Sequence, residues 1–451
     1  MTRRLITGGR VVTSSGTSKL DVAIRDGRIE AVGPDLPRDA AEVIDATGLL
    51  VLPGTIDVHT HVRLSDGDHP RRFEQDLAAA AAGGTTTVLT FNNPGTGISD
   101  RGARSLLDGL DEYRQRTEGR APIDHGLCAV VSSHQPEATD ELPELIRRGV
   151  PTFKAFTVYD FALTEPEIER VMAVAAANGG MLQLHCEEPG IIDPLVEAAL
   201  ADGRTGPRFH AACRPPEAEA RATRRAIELA RRSEAPLYIV HLSCESALEA
   251  VAEAKAAGQP VYAETCPHYL TFTAQLYDDP DESEVIKRVI SPPLRSAADV
   301  KALWAGLREG ILDVVGSDHV PDRLDTEKRL PAPPFPEISN GAPGIETLTS
   351  VVYSEGVASG RLTLERMVEV LAEAPARLFG LRAKGAIEAG RDADLLLWDP
   401  SARRTLRQVD LHHTSDFTPY EGLVVSGAPV RVLSRGADPV EGHGRFVERR
   451  R

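Results

Sequence analysis

Six residues have the types and positions expected of metal ligands. They are His59, His61, Lys154, His185, His241 and Asp318. The first two flank Thr60, so on a β-strand both imidazoles would point to the same side and reach one ion. A lone histidine after a strand is more often structural, but six such residues on five strands indicate a metal site. Imidazole and carboxylate ligands suit zinc, although manganese or cobalt could occupy the same set.

Lys154 is the unusual member of this set, because an ammonium group cannot bind a cation. If its amine reacts with carbon dioxide, it becomes a carbamate, an anion with two oxygen atoms that can bridge two metal ions. Two ions about 3.5–4 Å apart could then share a bridging hydroxide. The sequence alone does not show this carboxylation.

The elements that position these residues alternate between apolar runs and helical stretches. The alternation predicts an α/β fold, a (β/α)8 TIM-like barrel with its site at the carboxyl ends of the strands. The predicted strands cover residues 56–62, 85–91, 126–131, 152–156, 181–185, 237–241, 261–265 and 312–317, and the predicted helices include 72–82, 165–177, 216–232, 247–257 and 298–309.

Both ends of the chain have a different texture, with short strands and turns. Asp26 and Gly27 form a predicted hairpin turn, and further strand candidates cover 394–398, 422–426 and 429–433. We expect the two ends to build one small β-sandwich domain. The expected division is residues 1–52 and 381–451 for this domain and 53–380 for the barrel.

Composition excludes several classes of partner. The formal net charge of -16 argues against nucleic acid, because phosphate binding needs a basic surface. No apolar run is long enough to span a bilayer, and the first residues lack the apolar core of a signal peptide, so a cytoplasmic protein is expected. The five cysteines are scattered without a paired motif, which predicts reduced, mostly buried thiols.

An ordered series of segments gives the chain a resemblance to a known family. It resembles the amidohydrolase superfamily in its cyclic amidohydrolase branch, above all the D-hydantoinase/dihydropyrimidinase family. The segments are 53–61 (PGTIDVHTH), 83–87 (GGTTT), 153–156 (FKAF), 209–217 (FHAACRPPE), 263–268 (AETCPH), 291–295 (SPPLR), 316–319 (GSDH), 340–346 (NGAPGIE) and 419–422 (PYEG).

The resemblance implies a binuclear-zinc hydrolase that opens a hydantoin or dihydropyrimidine ring to an N-carbamoyl amino acid. His59, His61 and Asp318 would hold one ion, His185 and His241 the other, and carboxylated Lys154 would bridge them. The bridging hydroxide would attack the ring, and Asp318 would carry its proton to the leaving nitrogen. Three further residues have implied roles toward the substrate: Tyr159 at the oxyanion, and the backbone of Ser291 and Asn340 at the ring amide. A homotetramer is expected, with a homodimer as the alternative.

Two residues depart from the hydantoinase pattern and resemble dihydroorotase instead. Arg63 would bind a substrate carboxylate, with help from Asn93. The structural alternative for Arg63 is a salt bridge at the barrel rim. Asp322 stands where dihydroorotases usually have a histidine. Dihydroorotase or allantoinase activity, on a carboxylate- or ureido-bearing ring, therefore stays open, and a non-catalytic dihydropyrimidinase-like protein is a further alternative.

Overall fold

The computed structural model describes residues 3–39, 42–92, 105–135, 137–329 and 331–451. Eight consecutive strands form one sheet in which each strand lies beside the next strand in the chain. All of the registered pairs in this sheet are parallel. The strands are β8 Thr55–Thr60, β9 Thr85–Asn92, β10 Asp124–Val130, β11 Thr152–Phe156, β12 Met181–His185, β13 Leu237–Ile239, β14 Val261–Thr265 and β15 Val314–Val315.

The sheet closes on itself between its first and last strands. Thr60 at the end of β8 forms a parallel bridge with His319, four residues after β15. The backbone N–H of His61 donates to the carbonyl of His319 at 2.7 Å. The result is the predicted barrel, and its strands are apolar because one face packs inside the barrel and the other against helices.

Helices cover the outside of the barrel, and polar residues fix several helix ends. A capping box of Thr164 and Glu167 begins α4, and Ser296 with Asp299 begins α11 in the same way. The helices are α1 Arg72–Ala82, α2 Leu106–Thr117, α3 Ala138–Arg147, α4 Glu165–Ala177, α5 Pro189–Ala201, α6 Phe209–Ala212, α7 Pro216–Arg232, α8 Glu245–Ala256, α9 Pro267–Thr271, α10 Glu282–Ile286, α11 Ala297–Glu309, α12 Leu348–Val352, α13 Leu364–Val368 and α14 Ala374–Leu378.

Two smaller sheets come from the ends of the chain. One has the order β5-β4-β1-β6 and the other β17-β16-β7-β2-β3, and an apolar cluster that includes Ile6, Val51 and Leu395 draws on both. Their strands are β1 Arg3–Thr7, β2 Arg10–Thr13, β3 Gly16–Lys19, β4 Asp21–Arg25, β5 Arg28–Gly33, β6 Glu42–Asp45, β7 Leu50–Pro53, β16 Leu395–Thr405 and β17 Val424–Leu433.

The predicted architecture is confirmed, with differences at the ends of elements. The hairpin turn at Asp26 and Gly27 joins β4 to β5, with φ values of 52° and 80°. The two candidates at 422–426 and 429–433 are one strand, β17, whose register against β16 shifts twice. The domain boundaries stay a prediction. Among the helices of the described ranges, none is both long and apolar enough to cross a bilayer.

Candidate metal centre

The six predicted ligands converge at the carboxyl end of the barrel, as the strand ends suggested. Five of them line one cavity of about 380 Å³, and these are His61, Lys154, His185, His241 and Asp318. The sixth, His59, lies in β8 beside Asp318 and is completely buried. Strands far apart in the sequence therefore bring all six side chains to one place.

One half of the centre consists of His59, His61 and Asp318. One ligand atom from each lies within 4.8 Å of the others. The Nε2 atoms of His59 and His61 are 3.0 and 3.2 Å from Oδ1 of Asp318. Nevertheless, Nε2 of His59 makes no hydrogen bond within the described part of the chain. Three ligand atoms thus surround a common point, which is the arrangement that a cation requires.

Carboxylates make this half favourable for positive charge. Nδ1 of His59 is hydrogen-bonded to buried Glu264, which also accepts from the hydroxyl of Tyr238 at 2.8 Å. Burial alone would lower the pKa of His59, but Glu264 and Asp318 raise it to about 9. The bond to Glu264 fixes the imidazole and leaves Nε2 on the side of Asp318, as outer partners of metal-bound histidines do.

The other half is formed by His185 and His241, whose facing Nδ1 and Nε2 atoms are 2.9 Å apart. Nε2 of His185 lies 2.8 Å from a carboxylate oxygen of Glu187, which also accepts from Arg214. The proton of His185 therefore belongs on Nε2, and its Nδ1 lone pair points toward His241. Burial and the neighbouring His185 hold the pKa of His241 well below its usual range, so that this imidazole is neutral and able to bind a metal.

Lys154 is fully buried and its Nζ has no hydrogen-bond partner in the described residues. It lies 4.8 Å from the ring centre of Phe91 and 4.9 Å from that of Phe156. Burial lowers its pKa to about 8 although Asp318 and Glu264 act in the opposite direction. An unpartnered buried amine is costly to keep, and its conversion to an anion between two cations would remove that cost.

The backbone is held in the left-handed region at three positions of the centre. The φ values are 83° at Tyr159, 38° at His241 and 49° at Asp318. This conformation is disfavoured for side chains other than glycine, by about 1–3 kcal/mol each, and it persists only where surrounding packing enforces it. Three of the eight positive-φ residues other than glycine in the described ranges are thus candidate ligands or the candidate oxyanion residue.

Four of the five residues expected to contact the substrate lie at the cavity. Tyr159, Ser291, Asn340 and Arg63 all line the cavity. Asn93 lies outside the described residues. The guanidinium of Arg63 is already paired, because its Nη2 lies 2.5 Å from Asp322 and its Nη1 lies 2.6 Å from Glu327. The structural alternative for Arg63, a salt bridge at the barrel rim, is therefore present.

Two carboxylates of the centre were not among the predicted site residues. Glu264 holds His59, and Glu187 holds His185. A signal for each was available, since Glu264 interrupts the apolar strand β14 and Glu187 follows His185 by two residues. Buried acids beside histidines commonly orient metal ligands.

The chain belongs to the amidohydrolase family, whose model matches residues 50–437. It is 38% identical to the D-hydantoinase of Geobacillus stearothermophilus over 99% of this chain and 96% of that protein. It is 39% identical to the D-hydantoinase of Streptomyces coelicolor, over 99% of this chain and 98% of that protein. The predicted membership of the superfamily and the resemblance to hydantoinases are thereby confirmed.

Solved structures give the same family and fold. The dihydropyrimidinase of Brevibacillus agri superposes with a TM-score of 0.93 at 38% identity, covering 99% of both chains. The L-hydantoinase of Arthrobacter aurescens gives a TM-score of 0.89 at 30% identity, covering all of both chains. The chain is thus an amidohydrolase of the hydantoinase/dihydropyrimidinase type.

Proposed function

We propose that this protein hydrolyses a cyclic amide of the hydantoin or dihydropyrimidine type to an N-carbamoyl amino acid at a two-metal centre. The observation that carries the proposal is the convergence of four imidazoles, Lys154 and Asp318 on one cavity, with buried nitrogen atoms of His59, His241 and Lys154 left without hydrogen bonds in the described residues. Zinc suits this donor set, and manganese or cobalt are alternatives for the same positions.

His59, His61 and Asp318 would hold one ion, and His185 and His241 would hold the second. Lys154, once converted to a carbamate, would bind both ions. In that conversion the neutral amine attacks the carbon of carbon dioxide and loses a proton. A pKa of about 8 leaves about one amine in ten neutral at pH 7, so carbon dioxide has a reactive partner. When bound, the two ions supply a nucleophile at neutral pH by lowering the pKa of water, and they polarise the ring carbonyl.

Three groups of this chain would then complete the reaction. Asp318 takes the proton of the attacking water and delivers it to the ring nitrogen as the carbon–nitrogen bond breaks. Tyr159 donates a hydrogen bond to the developing oxyanion, consistent with a pKa that burial raises and that keeps the phenol protonated. The main chain of Ser291 and Asn340 holds the ring amide.

The pairing of Arg63 favours rings without a carboxylate. A grip on a substrate carboxylate, as in dihydroorotase, would require Arg63 to leave Asp322 and Glu327. We therefore place hydantoin and dihydrouracil before dihydroorotate. The ureido group of allantoin is uncharged, so its place in this order is left to the turnover assay. A cytoplasmic location stays a prediction, and so does a homotetramer or homodimer. Light scattering on the purified protein would measure the number of subunits.

The test combines metal analysis with turnover of hydantoin, dihydrouracil, allantoin and dihydroorotate. We expect two metal equivalents per chain and turnover of the first two rings. Lys154→Ala should lose metal and at least about a thousandfold in kcat, with partial rescue by propionate, whose carboxylate can occupy the space of the carbamate. Exposed Lys301 provides the matched control, and Lys301→Ala should behave as the unaltered protein. A metal-free protein, or an active Lys154→Ala variant, would contradict the proposal.

A further inference from the structure

The main-chain carbonyl groups on both sides of Ser291 accept hydrogen bonds from side chains that belong to other segments of the chain. Each of these side chains is buried and donates one hydrogen bond to a different carbonyl. The bonds run from Tyr277 to Arg288 at 3.0 Å, from Lys328 to Val289 at 3.0 Å, from His210 to Ile290 at 2.9 Å and from Tyr269 to Pro292 at 2.5 Å. Within the described residues, no hydrogen bond ends on the carbonyl of Ser291, so this acceptor remains for the cavity that Ser291 lines.

Lys328 differs from the other three because it joins two segments. Its Nζ donates to the carbonyl of Val289 at 3.0 Å and to the carbonyl of Ser339 at 2.9 Å. The backbone N–H of Gly341 donates to the same carbonyl of Val289 at 3.0 Å. The loop before Ser291 and the loop of Asn340 are therefore joined twice, by this backbone bond and by the ammonium group of Lys328.

The bond to Ser339 also fixes the direction of a peptide unit. The carbonyl of Ser339 and the N–H of Asn340 belong to the same planar trans peptide, so they point in opposite directions. With the carbonyl turned to Lys328, the N–H of Asn340 points away from the lysine. Among the described residues this N–H has no acceptor, and both Ser339 and Asn340 line the cavity.

We propose that Lys328 is a positioning residue for substrate recognition, which sets the spacing and orientation of the main-chain groups of Ser291 and Asn340. The inference rests on the proposed function, because these groups are the ones expected to hold the ring amide. Among the described residues that line the cavity Lys328 is absent, and its hydrogen bonds go to Val289 and Ser339, which are not predicted metal ligands. It acts only through the two carbonyls that it joins.

Among the described residues, no opposite charge balances the buried ammonium group of Lys328, which contacts two carbonyls and lies 5.9 Å from the ring centre of Phe417. The side chain is fully buried and forms no salt bridge within the described part of the chain. Its nearest acid, Asp322, is engaged by Arg63. Burial lowers the pKa of Lys328 to about 8, which means that the fold works against its charge. A charge kept at a cost to stability is expected where it serves the site.

The test is Lys328→Met, which keeps the length of the side chain and removes its donors. We expect KM for hydantoin to rise about ten- to hundredfold, with kcat changed less than about threefold, because a recognition contact common to substrate and transition state is weakened. The thermal unfolding midpoint should stay within about 3 °C of the unaltered protein. A purely structural lysine would lower the midpoint and leave KM unchanged, and that result would overturn the inference.

The matched control is Lys255→Met. Lys255 in α8 also donates to a carbonyl of another segment, that of Gly310, and it pairs with Asp313 in the same segment just before β15. It lies at the opposite end of the barrel strands, and its loss should leave KM unchanged. Should Lys328→Met be insoluble, Lys328→Gln retains a donor for one carbonyl and should show an intermediate rise in KM. A soluble glutamine variant with unchanged KM would equally overturn the inference.

Binding of hydantoin to chelator-treated protein separates this inference from the proposed function. Calorimetry on unaltered and Lys328→Met protein measures Kd without turnover, and we expect the same ten- to hundredfold weakening. If the unaltered protein binds hydantoin without hydrolysing it when metal is restored, the proposed function fails and the comparison of Kd values still decides the role of Lys328. If the chelated protein does not bind hydantoin, the KM comparison on the metal-loaded enzyme decides, and an unchanged KM in Lys328→Met overturns the inference.

Discussion

The three charged residues at the mouth of the cavity should set its preference between acidic and neutral rings. Arg63 carries one positive charge and is paired with the two negative charges of Asp322 and Glu327. Buried Arg72 also lies 3.9 Å from Glu327, so both acids are balanced and Arg63 has no positive charge left over for a substrate carboxylate. Replacing both acids, Asp322→Asn with Glu327→Gln, raises the local charge by two units while Arg63 remains.

The size of this change follows from Coulomb's law. At about 6 Å and an effective dielectric constant of about 40, one unit charge alters the energy of a carboxylate by about 1.4 kcal/mol, and two by about 2.8 kcal/mol. The side chains of Arg63 and Glu327 are 31% and 25% exposed, so solvent and salt screen the interaction. About 1–2 kcal/mol remains, equivalent to about five- to thirtyfold in relative specificity.

The assay compares kcat/KM for 5-carboxymethylhydantoin with that for its neutral amide, 5-carbamoylmethylhydantoin. The unaltered protein should prefer the amide, and the double variant should shift the ratio toward the acid by about five- to thirtyfold, less at high salt. Asp325→Asn is the matched control, since Asp325 lies in the same loop and pairs with Arg323 instead of Arg63. An unaltered protein that already prefers the acid would refute the reasoning and restore the dihydroorotase-like role of Arg63.

Two further predictions concern catalysis and stability. Tyr159→Phe should lower kcat about a hundred- to thousandfold at unchanged metal content, measured by steady-state kinetics and metal analysis; a loss of metal would contradict its oxyanion role. Lys384→Met should lower the free energy of unfolding by about 3–5 kcal/mol at pH 7, because Lys384 lies 2.7 Å from Asp124 and 2.5 Å from Asp394 and all three are buried. These acids raise the pKa of Lys384 against burial, so urea titrations should show a difference that is constant from neutral pH to about pH 10.5 and shrinks above it. An equal loss in Lys301→Met would refute this account.

The barrel could be predicted because each of its strands carries a local signal. Strands buried on both faces require continuous apolar runs, and β11, β12 and β14 begin and end where these runs do. The last strand is shorter than predicted, only Val314–Val315. The chain there must pass close to the first strand, since a Cβ atom at Gly316 would lie 2.9 Å from that of His59.

The backbone of the site could not be predicted in the same way. The sequence around His241 and Asp318 gives no sign that their backbone lies in the left-handed region. The usual signal for a positive φ is glycine, and neither position has one. The conformation is enforced by contacts such as that of His241 with His185, 56 residues away, and of Asp318 with His61, 257 residues away. Such contacts exist only once the barrel has closed.

The pairing of Arg63 shows why the reaction class is easier to predict than the substrate. Its residue type and its place after the metal motif fit both a substrate carboxylate and a rim salt bridge. The difference depends on Asp322 and Glu327, which lie 259 and 264 residues away and come near only through the closure of β15 on β8.

The metal centre depends on residues that lie in a barrel strand or within three residues of its end, and one sequence reveals those positions. Recognition of the ring depends on main-chain groups, which every residue possesses and no residue type marks. What distinguishes the carbonyl of Ser291 from its neighbours is that theirs are already bonded to buried side chains from other segments. We therefore expect substrate choice to depend on the long-range contacts of residues such as Lys328 and Arg63. Exchanging these residues between relatives should change KM and substrate preference more than it changes kcat.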